Sequence, residues 1–139
     1  MIVLDTNVLS ELMRPEPDAN VTAWVSQRPA TSLFTTTVTQ AEMLYGLRLL
    51  PAANRRSRLE AVVSEMFATD FAGRVLPFDQ AAAHAYAEIA ATRRRAGRPI
   101  TQFDAQIAAI ARSRDAGVAT RNVADFEGCG IAVIDPWRP

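Results

Sequence analysis

The sequence predicts a single α/β domain: a central parallel sheet of about five strands with helices on both faces. Three observations lead there. Short apolar or β-branched runs alternate with longer amphipathic stretches, and strand–helix alternation calls for parallel strands joined by crossover helices, as in an open doubly wound domain. The length of 139 residues fits one domain, large enough to bury roughly 68–70% of the surface its unfolded form exposes. No linker, repeat or low-complexity segment divides the chain, so residues 1–139 form one unit.

Each element can be justified in turn. "MIVLD" opens with three apolar residues, Ile2 to Leu4, a run suited to a buried strand that ends on Asp5. "NVLSELMR" has helical spacing and stops before Pro15 and Pro17, and "ANVTAWVSQR" reads as a second helix ending near Pro29. Thr-rich "TSLFTTT" is the second strand. "TQAEMLYGLRLL" is an amphipathic helix closed by Pro51. "ANRRSRLEAVVSEMFATDF" is another, with Leu59, Val62, Val63 and Met66 on its apolar side. "RVLPF" supplies a short third strand. A long Ala-rich helix starts from Asp79 as N-cap and stops at Gly97 and Pro99. "TQFDAQIAAIARSRDAG" is the next helix, with Phe103, Ile107 and Ile110 marking its buried side. "VAT" and "IAVID" are the last two strands, separated by "RNVADFEGCG".

Composition narrows the function. Fifteen basic residues balance fifteen acidic ones, so no global field draws the protein to polyanions and any polyanion must be bound locally. Every basic residue is Arg, which removes Lys as Schiff base, phosphate clamp or general base. Cys129 is the only cysteine, ruling out an internal disulfide and a Cys-rich zinc site; it reads as a small, partly buried thiol. No stretch reaches the roughly 18 apolar residues of a membrane span, and the N-terminus lacks the basic flank of a signal peptide, so a soluble cytoplasmic protein is expected. His84, the lone histidine, falls on the Ala-rich helix and reads as a packed or surface residue. Without G-x-S-x-G a serine-hydrolase triad has no support.

The chemistry points to carboxylates. In parallel sheets function sits at the carboxyl ends of the strands, where the strand order reverses, and Asp5 occupies such an end. It reads either as an N-cap, a role Thr6 could share, or as a ligand, because a buried carboxylate is costly unless paired or bound to a cation. Glu42 follows Thr39 in a capping-box spacing and could simply satisfy backbone donors at a helix start; Asp104 follows Thr101 in the same way, in a first helical turn whose dipole favours an ionised acid. Three acids at three βα junctions can converge on one sheet edge, and an oxygen-only cluster without Lys suits Mg²⁺ or Mn²⁺.

"MIVLDTNVLSEL", "TTTVTQAEMLYGL", "ITQFDAQIAAIA" and "VATRNVADF" together resemble a PIN-domain protein, specifically the VapC and FitB type toxins, also described as plasmid stability proteins, of bacterial toxin–antitoxin pairs. The likeness covers essentially the whole chain. It implies that Asp5, Glu42 and Asp104 are the catalytic metal ligands, with Thr6, Asn7 and Thr120 orienting carboxylates or waters by hydrogen bonds. It further implies a Mg²⁺-dependent endoribonuclease, Mn²⁺ being an alternative, that uses water to attack RNA phosphodiesters. The enzyme would be a homodimer held inactive by a cognate VapB/FitA-like antitoxin. Many members carry an acid just after the fourth strand; this chain has Asn122, with Asp125 as a substitute if the loop brings it inward. Asn122 also sustains the alternative of a catalytically silent module that only binds its partner.

Arg121, beside the expected site, is the favoured RNA-binding residue. Three further clusters read either as RNA contacts or as solvated helix faces with i,i+4 partners such as Arg56 and Glu60: Arg55, Arg56 and Arg58; Arg93, Arg94, Arg95 and Arg98; Arg112 and Arg114. Met43, Leu44, Leu47 and Leu50 follow helical spacing and read as core. They and the segment around Trp24 could instead supply a dimer interface or an antitoxin groove. An aspartyl-phosphate receiver domain is disfavoured, since such proteins pair acids in D-x-D patterns with an essential Lys and this chain has "LDTN".

Overall fold

The computed structural model describes residues 1–139. Five parallel strands, β1 (Ile2–Leu4), β2 (Leu33–Thr36), β3 (Val75–Leu76), β4 (Gly117–Ala119) and β5 (Val133–Ile134), form one sheet in the order β3-β2-β1-β4-β5. The chain builds outward from β1 through β2 to β3, then crosses back to lay β4 on the other side of β1. The order therefore reverses between β1 and β4. The helices are α1 (Thr6–Leu12), α2 (Ala19–Ser26), α3 (Thr37–Arg48), α4 (Asn54–Glu65), α5 (Gln80–Arg95), α6 (Gln102–Ser113) and α7 (Val123–Phe126). None is long and apolar enough to cross a membrane.

Strand alternation divides the core into two layers. Val3 joins Val118, Ile107, Ile110, Ile89 and Phe126 on one face, under α5 and α6. Leu4 joins Leu9, Val21, Trp24, Val63 and Phe67 on the other, under α1, α2 and α4. The inner face of α6 is mostly alanine: Ala105, Ala108, Ala109 and Ala111 are all buried. Such small side chains let the helix lie close to the sheet and to α5. Asp79 caps α5 by accepting from Ala82 N at 3.0 Å, and Gly97, at φ +73°, takes the left-handed conformation that follows the helix end.

Several expectations change. Helix α3 begins at Thr37, with Thr36 as N-cap accepting from Thr39 N. Thr39 and Glu42 thus lie inside the helix and form no capping box. Phe103 is 54% exposed, since the buried face of α6 runs through the alanines instead. On α4 Val63 is buried but Val62 is 54% exposed, and the helix ends at Glu65 in a π-helical turn, Met66–Asp70. Met43, Leu44 and Leu47 pack against the core but are only half-buried, as is Leu50. Trp24, by contrast, is core and 2% exposed. Cys129 is fully rather than partly buried, and α7 is a short helix inside the segment read as a plain connection.

Candidate active site

Asp5 directly follows β1 and is the N-cap of α1, as the first of its two readings expects. Its Oδ1 accepts from Thr6 N at 2.8 Å. Its Oδ2 accepts from the Thr120 hydroxyl at 2.9 Å and from Asn7 Nδ2 at 3.2 Å. The chain passes from β1 into α1 and from β4 into the next loop on either side of the strand reversal, and this brings Asp5 and Thr120 together. Thr120 is itself buried and accepts from Asn122 N at 3.0 Å. The Asn7 amide is turned by a second contact, its Oδ1 accepting from Arg121 N at 3.3 Å.

Glu42 reaches the same place from α3. Its Oε1 lies 3.2 Å from the Thr6 hydroxyl, which also stands 3.2 Å from the Thr39 hydroxyl. Asp104 arrives from the first turn of α6, where its N–H is capped by Thr101 Oγ1 at 3.3 Å. The three acids line one cleft of about 560 Å³ together with Thr6, Asn7, Arg121 and Asn122.

Burial and the charge of neighbouring acids act on all three carboxyls in the same direction. Burial is the main force pushing all three carboxyls above their ordinary range. For Asp5 the hydrogen bonds from Thr120 and Thr6 pull the other way, while the charges of Asp104 and Asp125 push further up. For Glu42 the Thr6 hydrogen bond opposes burial and Asp5 and Asp104 add to it. For Asp104 the Thr101 hydrogen bond and the nearby Arg93 oppose burial and Asp125. The acids are spaced openly: no three Asp, Glu, His or Cys side chains stand close enough to share one ion directly. The donor set still fits Mg²⁺ or Mn²⁺, since it is all oxygen, contains no Lys, and faces an ion that keeps several waters between itself and its ligands.

Thr6, Asn7 and Thr120 are where the sequence places them, each bonded to a site carboxylate. Asn122 lines the cleft but contributes its backbone N–H to Thr120. Asp125 is exposed and outside the cleft lining, although its charge reaches both Asp5 and Asp104. Arg121 is exposed at the rim.

The other arginines are mostly committed elsewhere. Arg56 pairs with Glu60, Arg98 with Glu127, Arg112 with Glu88 and Arg114 with Asp79. Arg93 is no surface cation: it is 6% exposed and donates to the carbonyls of Arg98, Asp125 and Glu127. His84 is exposed and does not line the cleft.

Sequence reasoning missed Ser10, Glu11, Arg14 and Trp137, which also line the cleft. Ser10 and Glu11 were detectable, since they follow Asn7 by three and four residues on the face of α1 that carries it, and Arg14 lies just beyond the helix end, bonded to Glu11. Trp137 had no local signal, because it reaches the site only through the turn after β5. The largest cavity, about 700 Å³, is a separate apolar groove between α1, α2 and α4, and none of the three acids lines it.

Comparison with known proteins gives one consistent picture. The family model described as "PIN domain" matches residues 2–127. "VapC ribonuclease Y4jK" of Sinorhizobium fredii is 41% identical over 139 residues, covering 100% of this chain and 99% of that protein. "Toxin FitB" of Neisseria gonorrhoeae is 36% identical over 138 residues, covering 99% of each. The crystal structure of FitAcB from Neisseria gonorrhoeae superposes with a TM-score of 0.93 at 36% identity, covering 100% of both chains.

Proposed function

This chain belongs to the PIN-domain family, and from that premise we propose that it is a Mg²⁺-dependent endoribonuclease serving as the toxin of a toxin–antitoxin pair. The observation that carries the reading is the convergence of Asp5, Glu42 and Asp104 on one cleft at the strand reversal. The names of its relatives, a ribonuclease and a toxin, support the activity class.

Asp5, Glu42 and Asp104 are the residues that would hold Mg²⁺, or Mn²⁺ in its place, Glu42 mainly through water. When bound, the cation supplies positive charge to the phosphodiester and acidifies water at neutral pH. The protein's own residues do the rest. Thr120, Asn7 and Thr6 fix the carboxylates in place before substrate arrives, so their orientation costs nothing during reaction. Arg121, exposed and outside every ion pair in the molecule, is free to take a phosphate.

A toxin requires a neutralising partner. The apolar groove between α1, α2 and α4 is the surface offered to a VapB/FitA-like antitoxin, and exposed Tyr45 and Leu49 at the end of α3 are the surface offered to a second copy. The decisive experiment incubates purified protein with RNA in Mg²⁺ or in EDTA, alongside Asp5→Asn and Asp104→Asn. Mg²⁺-dependent cleavage that both variants lose is the expected result. The open spacing of the acids favours one second reading, a silent PIN module. Calorimetry separates the two, since a silent module has no need to bind Mg²⁺.

A further inference from the structure

Trp137 is the one apolar residue lining the carboxylate cleft. An indole half-open to water among charged and hydroxyl groups calls for an explanation beyond packing, because the same indole also packs against the core layer of Leu4, Leu9 and Trp24.

Its position is fixed from both sides. After β5 the chain turns at Asp135, whose Oδ1 accepts from Trp137 N at 2.9 Å, and Pro136 is buried. Trp137 O then accepts from Asn20 Nδ2 at 3.0 Å, tying the C-terminal segment to α2. The ring is thus held beside the cleft in advance, so a ligand that stacks on it pays little ordering entropy.

The two tryptophans show the difference between a packed ring and an available one. Trp24 is 2% exposed and covered by Arg28 at 3.9 Å from the ring centroid, and the Arg28 guanidinium is anchored on Trp24 O at 2.7 Å. Arg121 lies over one face of the Trp137 ring at 5.1 Å from its centroid, a looser stack than the 3.9 Å of Arg28 on Trp24, and forms no ion pair. Its guanidinium is therefore free to turn towards a phosphate or to extend the stacking surface.

The cleft needs such a feature. Three acids repel a polyanion, and a cation among them only offsets that repulsion. Attraction must come from the rim, where an aromatic ring and an arginine form the usual pair for gripping single-stranded nucleic acid: bases stack on the ring, and the cation holds the adjoining phosphate.

We propose that Trp137, with Arg121 beside it, is a nucleobase-stacking subsite that seats one base of single-stranded RNA so that a neighbouring phosphate meets Asp5, Glu42 and Asp104. The proposal rests on the ribonuclease reading and adds to it a residue that selects the strand form and positions it.

The test measures binding without cleavage, using the full chain with Ca²⁺ in place of Mg²⁺. Three probes are compared: oligo(A), oligo(U), and an abasic ribose-phosphate oligomer of equal length. Trp137→Leu keeps an apolar filler without a π-face, and Trp137→Phe keeps a smaller one. We expect oligo(A) to quench the emission of the wild type and the abasic oligomer to leave it unchanged, since Trp24 is shielded in the core. Trp137→Leu should bind oligo(A) roughly five- to a hundredfold more weakly, the loss typical of one stacked base. Its affinity for the abasic oligomer should be unaltered, and Trp137→Phe should recover most of the loss. Should Trp137→Leu fold poorly, the wild-type quenching comparison decides alone.

Equal oligo(A) affinity in a folded Trp137→Leu, or equal quenching by the abasic oligomer, overturns the stacking subsite while leaving the ribonuclease reading intact. Quenching by an antitoxin peptide but not by any base-bearing oligomer overturns it in favour of a protein contact. If no oligomer binds the wild type at all, both the subsite and the RNA reading fall together.

Discussion

The Thr120 hydroxyl donates to Asp5 Oδ2 at 2.9 Å, joining the ends of β4 and β1 across the point where the strand order reverses. One proton is shared between two residues 115 positions apart in the chain, and the contact exists only when β4 has crossed back beside β1. It couples correct topology to a correctly oriented carboxylate. Asp5 is 5% exposed, so burial drives its carboxyl up and this hydrogen bond is the largest influence opposing the rise.

Thr120→Val therefore raises the Asp5 pKa further. A buried acceptor losing its donor costs about 1–3 kcal/mol, and the isosteric methyl adds no strain. Cleavage should require higher pH than in the wild type, with the acidic limb of the pH–rate profile displaced upward. Thr120→Ser, which keeps the donor, should restore the original limb. An unshifted limb in Thr120→Val would show that Asp5 ionisation does not control the rate.

The three raised carboxyls also fix how the metal-free fold responds to pH. A carboxyl whose folded pKa lies above its unfolded value favours folding while protonated; that contribution is full below the unfolded pKa and is lost as pH rises through the folded pKa. Metal-free protein should thus lose stability as pH climbs from the ordinary carboxylate range into the raised range of Asp5, Glu42 and Asp104. Asp104→Asn removes one such group along with its repulsion, so it should melt at a temperature equal to or above the wild type at neutral pH while losing Mg²⁺-dependent cleavage. Mg²⁺ affinity should rise with pH across the same window, as protons leave the oxygens that would bind it. Thermal melts with and without Mg²⁺ across that window check all three expectations.

Much of this site was legible from local pattern, and what escaped was set by tertiary contact. Asp5 and Asp104 announce themselves by ending an apolar run or opening a helix after a Thr, signals that survive in one dimension. Glu42 follows the same logic of position, and it is the competing capping-box reading that fails, since Thr36 rather than Thr39 caps α3. Parallel pairing was implied by alternation and the third strand was read as short, whereas the strand order and the shortness of β5 were not. Phe103 misled because hydrophobicity was read as burial, when α6 buries its alanines. Arg93 looked like its neighbours Arg94 and Arg95, and only the folded chain shows its guanidinium turned inward to the carbonyls around α7.

That inward turn makes Arg93 a structural cation. It donates to Arg98 O at 2.7 Å and Asp125 O at 3.2 Å and also bonds Glu127 O, pinning the segment that carries Asn122 and Asp125. Arg93→Met leaves several buried carbonyls without donors, a loss of roughly 2–4 kcal/mol. Arg94→Met and Arg95→Met, at exposed positions, should change stability by less than about 0.5 kcal/mol. Denaturant melts of the three variants give the comparison, and equal midpoints would refute the structural role.

On the proposed Mg²⁺-dependent reading, Asn122 sets how many cations the cleft would hold. It lines the cleft where many relatives of this type are expected to carry an acid, and it brings an oxygen without charge. Two divalent ions about 3.5–4 Å apart repel strongly, so holding both requires more negative charge than Asp5, Glu42 and Asp104 supply. The expected behaviour is one firmly bound Mg²⁺, with any second arriving alongside the RNA phosphate. Asn122→Asp restores the charge, and at roughly 4 Å even a water-like dielectric gives about 1 kcal/mol per cation charge. Mg²⁺ affinity should tighten on the order of tenfold, with a matching fall in the Mg²⁺ concentration that supports cleavage. Asp125, whose charge already reaches Asp5 and Asp104 from outside the cleft lining, should behave oppositely: Asp125→Asn weakens Mg²⁺ binding by a smaller factor. Calorimetric titration of both variants tests the pair. Unchanged affinity in Asn122→Asp together with a large loss in Asp125→Asn would make Asp125 the fourth acid and place Asn122 beyond the reach of the metal.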